Sequence, residues 1–401
     1  MKKVSFSIML VLASFLFSAC APEVVQYCCK CCENGNTCVC EVDNEEPLSL
    51  KVFSPTSEYV RPIGRTQEVD NTLWLVNSGT GLEFELVGTS ASITVKADST
   101  YKYPTNYTRI AVYVDDKLVI DDLVNEKEKK YNVFESETPQ KSIIQVVKLS
   151  EALVSTIGIS EIEVMCSKDI KPTEEKDKLI EFIGDSLTSG YGLDDPNAEH
   201  TFSSATENVI KTYAYKTAKM LEADYSIISA SGFGVLSGKS EDGTKNEIET
   251  LPRYYTCLGT NFATYLEDNI ALESAWNFSK RQPDVIVVNL GSNDYDYTQS
   301  DESKNEEFAQ MYLLFLKHIR EKNPNATILC TLGMKAEDLF PCIEYAVWWY
   351  TMETGDTNVY TMRFDTHSPS DGYAADWHPS EKTHDKAAEK LTAKIKEIMG
   401  W

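Results

Sequence analysis

The chain has 401 residues, too many for one ordinary hydrophobic core, so we expect two domains preceded by a leader. Apolar residues make up 42% and charged residues 25% of the sequence, a balance typical of soluble globular proteins. The formal net charge of -24 disfavours nucleic acid as a partner, because an acidic surface repels the phosphate backbone, whereas a neutral polysaccharide is compatible with it.

The first twenty residues have the organisation of a bacterial export signal. Two lysines precede an apolar stretch, residues 4–17, that is too short to span a bilayer. The stretch runs into Phe17-Ser18-Ala19-Cys20, which resembles a lipobox, the motif whose cysteine becomes the lipidated N-terminus. We therefore predict a lipoprotein signal peptide at 1–20, lipidation at Cys20 and a membrane-anchored protein in the periplasm or at the cell surface. The alternative is ordinary cleavage near Ala19, which releases a free secreted protein.

A cysteine-rich segment, residues 21–47, follows the signal peptide and is predicted to be a tether. An oxidising exterior permits disulfides here, but six cysteines allow many pairings and the sequence assigns none. The doubled cysteines lack the usual spacing of a zinc site and have no histidine nearby, so a cross-linked tether is favoured over a metal site. The six are Cys28, Cys29, Cys31, Cys32, Cys38 and Cys40.

Residues 48–170 carry many short strand-like runs separated by turns. Apolar and polar residues alternate with a period of two, which is typical of strands with one buried face. Without helical periodicity, this pattern predicts an antiparallel β-sandwich domain. The charged, proline-containing stretch 171–178 is the predicted linker. The alternation is clearest at Leu82, Phe84 and Leu86, at Ile93–Val95 and at Val112–Val114.

The period changes in residues 179–401, where strands alternate with amphipathic helices. That alternation predicts an α/β domain with a doubly wound parallel sheet. The strand-like runs are Leu179–Ile183, Tyr225–Ile228, Val285–Val288, Ile328–Leu329 and Val359–Tyr360. The helical stripes run from Ile210 to Leu221, from Phe308 to Ile319 and from Ala387 to Ile395.

Three polar segments lie at positions where an α/β sheet gathers reactive groups, beyond the carboxyl ends of strands or just before the last helix. They are Gly184-Asp185-Ser186, Gly291-Ser292-Asn293-Asp294 and Asp376-Trp377-His378-Pro379. Each alone is explained by turn or helix-cap chemistry. Together and in this order they resemble the SGNH (GDSL) hydrolase superfamily, and the resemblance covers Leu179 to the C-terminus.

The residue types fit nucleophilic ester hydrolysis. A serine hydroxyl is a weak nucleophile and needs a base, for which imidazole is suited near neutral pH. A carboxylate on the other imidazole nitrogen would fix its tautomer. We predict Ser186 as nucleophile, His378 as base and Asp376 as the orienting carboxylate, since two residues of separation let both side chains face one site. A Ser–His dyad, in which the carboxylate contributes little, is the alternative that the resemblance allows.

The resemblance also implies three donors for the oxyanion of the tetrahedral intermediate. In SGNH enzymes these are the nucleophile's own amide, a glycine amide after the second strand and an asparagine side chain. They correspond here to Ser186, Gly232 and Asn293. Gly234 is the competing choice for the glycine.

The N-terminal domain narrows the family further. Leu73-Trp74-Leu75 followed by the glycine-rich run Gly79–Phe84 is similar to the accessory β-sandwich of carbohydrate esterase family 2, and Ile183–Gly192 extends the likeness. The resemblance implies a jelly-roll domain packed on a flavodoxin-like SGNH domain. It also implies a serine esterase that removes O-acetyl groups from acetylxylan or a related plant-type polysaccharide.

Two other functions remain open at this stage, a lipase or thioesterase of the SGNH group and a non-hydrolytic glycan-binding lipoprotein. Long acyl chains would require an apolar groove, whereas the segment Asp294-Tyr295-Asp296-Tyr297 is polar and aromatic, which favours sugar. Trp348, Trp349 and Trp377 are candidates for stacking on sugar rings. No metal or cofactor is predicted, because the remaining histidines have no ligand spacing: His200, His318, His367 and His384.

Overall fold

Two sheets organise the part of the chain that this computed structural model describes, residues 46–259, 274–299 and 301–401. The first sheet is antiparallel and the second is parallel, which confirms the predicted fold class. The signal peptide, Cys20 and all but the last residues of the cysteine-rich tether lie outside the described residues, so those assignments stay predictions.

The antiparallel sheet has ten strands in the first half of the chain. The predicted alternation holds, since Leu82, Phe84 and Leu86 all point into one apolar core. The fifth and eighth strands are long and pair along most of their length, with register shifts near Gly88 that mark bulges, which bend strands. The strands are β1 (Ser49–Phe53), β2 (Arg61–Ile63), β3 (Thr66–Val69), β4 (Thr72–Leu75), β5 (Gly81–Ala97), β6 (Thr108–Val114), β7 (Lys117–Val124), β8 (Glu128–Lys148), β9 (Ile157–Cys166) and β10 (Lys171–Pro172).

The antiparallel sheet extends into the predicted linker. Lys171 and Pro172 form β10, because they pair with Glu85 and Phe84 of β5. The sheet therefore continues two residues beyond the predicted boundary, and the connection to the second domain begins after Pro172.

The parallel sheet has the order β12-β11-β13-β14-β15. This is the flavodoxin-like order, in which the first strand of the domain lies between the second and the third. Its first four strands are buried at every position, which explains their continuous apolar runs, because helices cover both faces. The strands are β11 (Leu179–Gly184), β12 (Asp224–Ser229), β13 (Val285–Asn289), β14 (Thr327–Leu332) and β15 (Val359–Arg363).

Helices lie on both faces of the parallel sheet. The second and sixth helices pack together on one face, and the fourth and fifth pack together on the other. The helix predicted from Ile210 begins three residues later, because Thr212 caps it by accepting a hydrogen bond from the Tyr215 N–H. The helices are α1 (Ser186–Ser189), α2 (Tyr213–Met220), α3 (Asp294–Thr298), α4 (Glu302–Lys322), α5 (Phe340–Thr354) and α6 (Glu381–Met399).

The two domains share buried charge as well as apolar contacts. We call Arg61, Arg65, Glu83, Glu181 and Asp224 the arginine cluster. Arg65 is fully buried, and its guanidinium donates to the carbonyls of Tyr255 and Cys257 at 2.5 and 2.8 Å and lies 3.3 Å from Glu181. Arg61 pairs with Asp224 at 2.9 Å and with Glu83. Because both arginines come from the antiparallel domain and reach acids of the parallel sheet, the domains form one packed unit.

Candidate active site

The proposed nucleophile lies in a sharp turn at the carboxyl end of β11. Asp185 caps α1, since its Oδ1 accepts from the Leu187 N–H at 3.0 Å, and Ser186 is the first residue of this short helix. Gly184 permits the tight approach, because a Cβ there would lie 2.0 Å from the Thr188 Oγ1. As the first residue of a helix, Ser186 has a main-chain N–H without an intrahelical acceptor.

The proposed base contacts the proposed nucleophile directly. His378 Nε2 lies 3.0 Å from Ser186 Oγ. Its Nδ1 lies 3.2 Å from the Ala375 carbonyl and 3.1 Å from the Asp376 carbonyl. Because carbonyls only accept, Nδ1 carries the proton and Nε2 presents its lone pair to the hydroxyl. The ring of Tyr191 stacks on the imidazole, with 4.3 Å between centroids and 23° between planes.

Burial controls the protonation of this imidazole. Together with the positive charge of Lys335, burial lowers the pKa of His378 to about 3, although the Asp376 charge and the two carbonyls act in the opposite direction. The ring is therefore neutral at neutral pH, which is the state that a general base requires.

The structure corrects the predicted role of the Asp376 carboxylate. That carboxylate accepts from the Tyr191 hydroxyl at 3.3 Å, and the main-chain carbonyl of Asp376 contacts the imidazole instead. The reason is local backbone geometry, since Asp376 and Trp377 both have left-handed φ angles, 53° and 57°. The geometry therefore matches the Ser–His dyad alternative.

The loop 231–237 after β12 carries the predicted oxyanion glycine. Its other amides have protein acceptors: Ser231 donates to Glu151 (2.8 Å), Phe233 to Ala230 (3.2 Å), Gly234 to Glu249 (3.1 Å), and Val235, Leu236 and Ser237 to Asp294 (2.6–3.0 Å). Within the described residues, the Gly232 amide alone in this loop has no acceptor. Gly232 is half-buried and its N–H is available to a substrate oxygen, whereas the Gly234 N–H is already used by Glu249, and this favours Gly232 over Gly234 as the donor.

Gly234 has a different, steric reason to be glycine. A Cβ there would lie 2.5 Å from an Asp294 carboxylate oxygen. Gly232 has φ of +82°, with no atom nearer than 3.8 Å to a Cβ position. Gly234 therefore allows close packing, and Gly232 allows a left-handed turn.

Asn293 lies at the same edge of the sheet. Its Nδ2 donates to the Phe233 carbonyl at 2.8 Å and lies 3.3 Å from the Asp185 Oδ2. The second contact is long, so a substrate oxygen could replace it. Burial raises the pKa of Asp185 to about 7.

The segment Asp294–Tyr297 does not have the sugar-facing role expected from its composition. Asp294 is fully buried and accepts from three loop amides, and Asp296 accepts from the Ser240 N–H at 3.2 Å. The Tyr297 hydroxyl donates to Glu307 at 3.2 Å. These side chains hold neighbouring loops together. They lie in α3, whose first residue, Asp294, contacts the loop 231–237, which we call the glycine loop.

One of the candidate tryptophans directly precedes His378 in the chain. Trp377 is 56% exposed, and its ring lies 5.0 Å from that of Tyr373. Trp348 is also exposed, but it lies on α5 with Tyr345 stacked against it, while Trp349 packs on the core beneath that helix. Of the three tryptophans considered from the sequence, Trp377 is therefore the one adjacent to the proposed base.

Two of the other histidines have hydrogen-bond partners within the protein. His384 Nδ1 accepts from the Tyr213 N–H at 3.1 Å, and His200 Nδ1 lies 2.8 Å from Asp195. Across the described residues, no group of three or more histidine, cysteine or acidic side chains is arranged to hold a metal ion. The same residues contain no helix with the length and apolarity to cross a membrane.

Sequence reasoning did not single out Tyr191 or Lys335. Tyr191 lies between Gly190 and Gly192, both with positive φ, and this glycine-flanked turn was the available signal. Lys335 follows β14 at the carboxyl edge of the sheet, after a left-handed Met334, and only its position after a strand could have indicated it.

Two family models match the chain. A carbohydrate esterase 2 N-terminal model matches residues 62–174, and a GDSL-like lipase/acylhydrolase model matches residues 180–391. A cellulase/esterase CelE of Acetivibrio thermocellus is 28% identical over 328 residues, 81% of this chain and 37% of that protein. An acetylxylan esterase / glucomannan deacetylase of Cellvibrio japonicus is 29% identical over 241 residues, 57% of this chain and 62% of that protein. The chain thus spans less than two thirds of the length of both relatives.

Solved structures share both domains. A family two carbohydrate esterase from Clostridium thermocellum, in complex with cellohexaose, has a TM-score of 0.73 and 27% identity, covering 85% of this chain and 99% of that one. The acetyl xylan esterase Est2A of Butyrivibrio proteoclasticus has a TM-score of 0.78 and 23% identity, covering 88% and 99%. At that lower identity, the second match speaks for the fold alone.

Proposed function

Because the chain belongs to the GDSL-like lipase/acylhydrolase family, with the N-terminal domain of carbohydrate esterase family 2, we propose that it is a serine esterase that removes O-acetyl groups from carbohydrate. The observation that carries this proposal is the 3.0 Å contact between Ser186 Oγ and His378 Nε2. A hydroxyl held against a neutral imidazole of fixed tautomer is what nucleophilic ester hydrolysis requires. Relatives named as acetylxylan esterases support acetylated xylan or a related polysaccharide as the substrate.

The first half of the reaction forms an acetyl-enzyme. His378 Nε2 takes the proton of Ser186 Oγ as that oxygen bonds to the acetyl carbonyl carbon. The negative oxygen of the tetrahedral intermediate receives hydrogen bonds from the amides of Ser186 and Gly232 and from Asn293 Nδ2. One such donor is worth roughly 10²–10³ in rate. The C–O bond to the sugar then breaks, and Nε2–H returns the proton to the departing sugar oxygen.

The second half releases acetate. His378 takes a proton from water, whose oxygen attacks the acetyl carbon, and the proton returns to Ser186 Oγ as the acyl bond breaks. During both halves the imidazole is transiently positive. The carbonyls of Ala375 and Asp376, both within 3.2 Å of Nδ1, stabilise that charge, because their dipoles point their negative ends at the ring.

The exposed indole of Trp377 supports a sugar as the alcohol part of the ester. It directly precedes His378 in the chain and its ring lies against that of Tyr373, so it offers an exposed aromatic surface one residue from the proposed base. Aromatic rings of this kind stack on sugar rings through their apolar faces, while the indole N–H remains in contact with water. The sugar ring would lie on Trp377 while its acetyl group enters beside Ser186.

Acetate release from acetylated xylan, compared with hydrolysis of 4-nitrophenyl acetate and decanoate, tests the proposal. We expect turnover of the acetylated polysaccharide and of the acetate ester, with little turnover of the decanoate. The variant Trp377→Ala should raise KM for acetylated xylan and leave 4-nitrophenyl acetate nearly unaffected. Trp348→Ala is the matched control, because that side chain is equally exposed, at 57%, but lies on α5, so neither substrate should respond.

The two other functions predict different results in the same experiment. A decanoate rate above the acetate rate would indicate a lipase or thioesterase. Absence of turnover, together with retention on an insoluble polysaccharide, would indicate a glycan-binding protein without hydrolysis.

We further propose that the protein is exported and anchored to a membrane through lipid on Cys20. The support is the sequence of residues 1–20, with its basic start, apolar stretch and lipobox-like end. In a bacterial host, the full chain should incorporate labelled palmitate and fractionate with membranes, whereas Cys20→Ser should do neither. A wild-type chain that is soluble and unlabelled would indicate ordinary cleavage near Ala19 instead.

A further inference from the structure

A group of buried charged side chains lies where the antiparallel domain meets the active-site edge of the parallel sheet. We call Lys148, Glu151 and Glu207 the glutamate cluster. All three are buried, with exposed fractions of 0–2%. Lys148 ends β8 and Glu151 follows it, so both belong to the antiparallel domain, whereas Glu207 lies between α1 and α2. None of the three takes part in the proton transfers proposed for ester hydrolysis.

Glu151 contacts two elements of the active site with one oxygen. Its Oε2 accepts from the main-chain N–H of Ser231 at 2.8 Å and lies 3.3 Å from the Ser189 hydroxyl, which also contacts Ser229 Oγ at 2.9 Å. Ser231 immediately precedes Gly232, and Ser189 ends the short helix that begins at Ser186. A side chain of the antiparallel domain therefore touches both the glycine loop and the nucleophile helix.

Glu151 is itself held rigidly. Its main-chain N–H donates to Glu207 Oε2 at 3.0 Å, and its carbonyl accepts from the Val154 and Ser155 amides at 3.3 and 3.4 Å. Lys148 donates to the Ser150 carbonyl at 2.5 Å. A fixed backbone and a buried carboxylate leave the Oε2 atom little freedom relative to the glycine loop.

The glycine loop needs such external support at its first residue. Asp294 anchors its far end through the amides of 235–237, and the Gly232 carbonyl accepts from the Lys239 N–H at 2.7 Å, but Gly232 has a left-handed backbone and no atom nearer than 3.8 Å to its Cβ position. Glycine has the greatest backbone freedom of any residue, so the direction of its N–H depends on how its neighbours are fixed. Glu151 fixes the preceding residue.

We propose that Glu151 is a positioning residue that aligns the Gly232 N–H with the Ser186 nucleophile, so that the antiparallel domain completes the active site. This inference rests on the proposed esterase function. The contribution of Glu151 to turnover depends on where its Oε2 atom lies, because a displacement of about 1 Å near the reacting groups can reduce turnover roughly 100-fold.

Two variants of Glu151 separate the position of the acceptor from its charge. Glu151→Asp keeps the carboxylate but withdraws it by one methylene, whereas Glu151→Gln keeps an oxygen at full reach without the charge. With 4-nitrophenyl acetate and the full chain, we expect Glu151→Asp to lower kcat roughly tenfold or more with KM within about twofold. Glu151→Gln should retain kcat within about threefold, because its amide oxygen can still accept from the Ser231 N–H.

Glu181→Asp is the matched control. It applies the same shortening to a buried carboxylate at the same domain interface, but in the arginine cluster, and kcat should stay at the wild-type value. Circular dichroism and thermal unfolding of each variant establish that the folded fraction is the same at the assay temperature.

The inference is overturned if Glu151→Asp has wild-type kcat, if only its KM changes, or if Glu151→Gln loses as much turnover as Glu151→Asp. A wild-type protein that hydrolyses no ester would overturn the proposed function and this inference together. Wild-type turnover with an equally active Glu151→Asp would overturn this inference alone.

Discussion

The arginine cluster and the glutamate cluster join the same two domains, but they lie at different positions along the strands of the parallel sheet. The arginine cluster reaches Asp224, the first residue of β12, and Glu181, in the first half of β11. The glutamate cluster reaches Ser231, beyond the carboxyl end of β12. Because a parallel sheet presents its reactive groups only at the carboxyl ends of its strands, similar interactions serve stability at one end and the active site at the other.

The two clusters also differ in charge balance. Burial raises the pKa of Asp224, but its bonds to Arg281 and Arg61 outweigh that and leave the pKa lowered. In the glutamate cluster, burial raises the pKa of both Glu151 and Glu207, and it lowers the pKa of Lys148 to about 8. At Asp224 the ion pairs outweigh the cost of burial, whereas in the glutamate cluster burial dominates next to the proposed active site, as is often seen at functional sites.

The largest effects on turnover are expected at Ser186 and His378, which contact each other directly. Ser186→Ala and His378→Ala should each lower kcat by about 10⁴ or more, and the double variant should be no worse, because the two act as one unit. Hydrolysis of 4-nitrophenyl acetate measures this. More than a trace of turnover in folded Ser186→Ala would place the nucleophile elsewhere.

A much smaller loss is expected at Asp376, although it lies two residues from the base. Asp376→Asn should reduce kcat tenfold or less, because the backbone carbonyl of Asp376 and not its carboxylate holds the imidazole. A loss near 10⁴ would mean that the carboxylate swings onto the ring during turnover and would restore the triad.

The pH dependence of turnover should show that His378, the proposed base, stays unprotonated in mildly acidic solution. The pKa of His378 is lowered to about 3 in the folded chain, from about 6.5 when unfolded, so the folded imidazole stays neutral as pH falls through 6.5. We expect kcat/KM for acetate release to stay nearly flat between about pH 7 and 5. The unfolded chain binds the proton first, so the stability contributed by this neutral ring decreases as pH falls below about 6.5.

Lys335 offers a control for that profile. Removing its positive charge in Lys335→Met should raise the pKa of His378 and move the acid limb of kcat/KM to higher pH. A limb near 6.5 in the wild type, unmoved in Lys335→Met, would contradict this account of the base.

The smallest effect on turnover is expected in the arginine cluster. Arg65→Met should lower the free energy of unfolding by about 3–5 kcal/mol, because it removes the cation paired with the buried Glu181 and the donor to the Tyr255 and Cys257 carbonyls, while kcat of the folded enzyme stays unchanged. Urea unfolding and 4-nitrophenyl acetate kinetics measure the two quantities. Adding Glu181→Leu should recover part of the stability. A parallel fall in kcat would show that the two clusters are not functionally separate.

Much of the fold was accessible from the sequence because its signals are local. The continuous apolar run at Val285–Val288 predicts a strand buried on both faces, and the stripe from Phe308 to Ile319 predicts a helix with one buried face; both are present. Ser186 and Asn293 follow strands, and His378 precedes the last helix. Their convergence needed only the rule that such positions meet at one edge of the sheet.

Only the tertiary structure determined which groups contact those residues. The spacing of Asp376 and His378 is the same whether a carboxylate or a carbonyl faces the ring, and the left-handed φ of Asp376 makes that choice. Gly232 and Gly234 are equivalent in the sequence, and only the pairing of the neighbouring amides separates them. Glu151 lies 80 residues before Ser231 in another domain, and no periodicity or motif links the two. Such contacts depend on how the two domains pack together, which a local pattern does not encode.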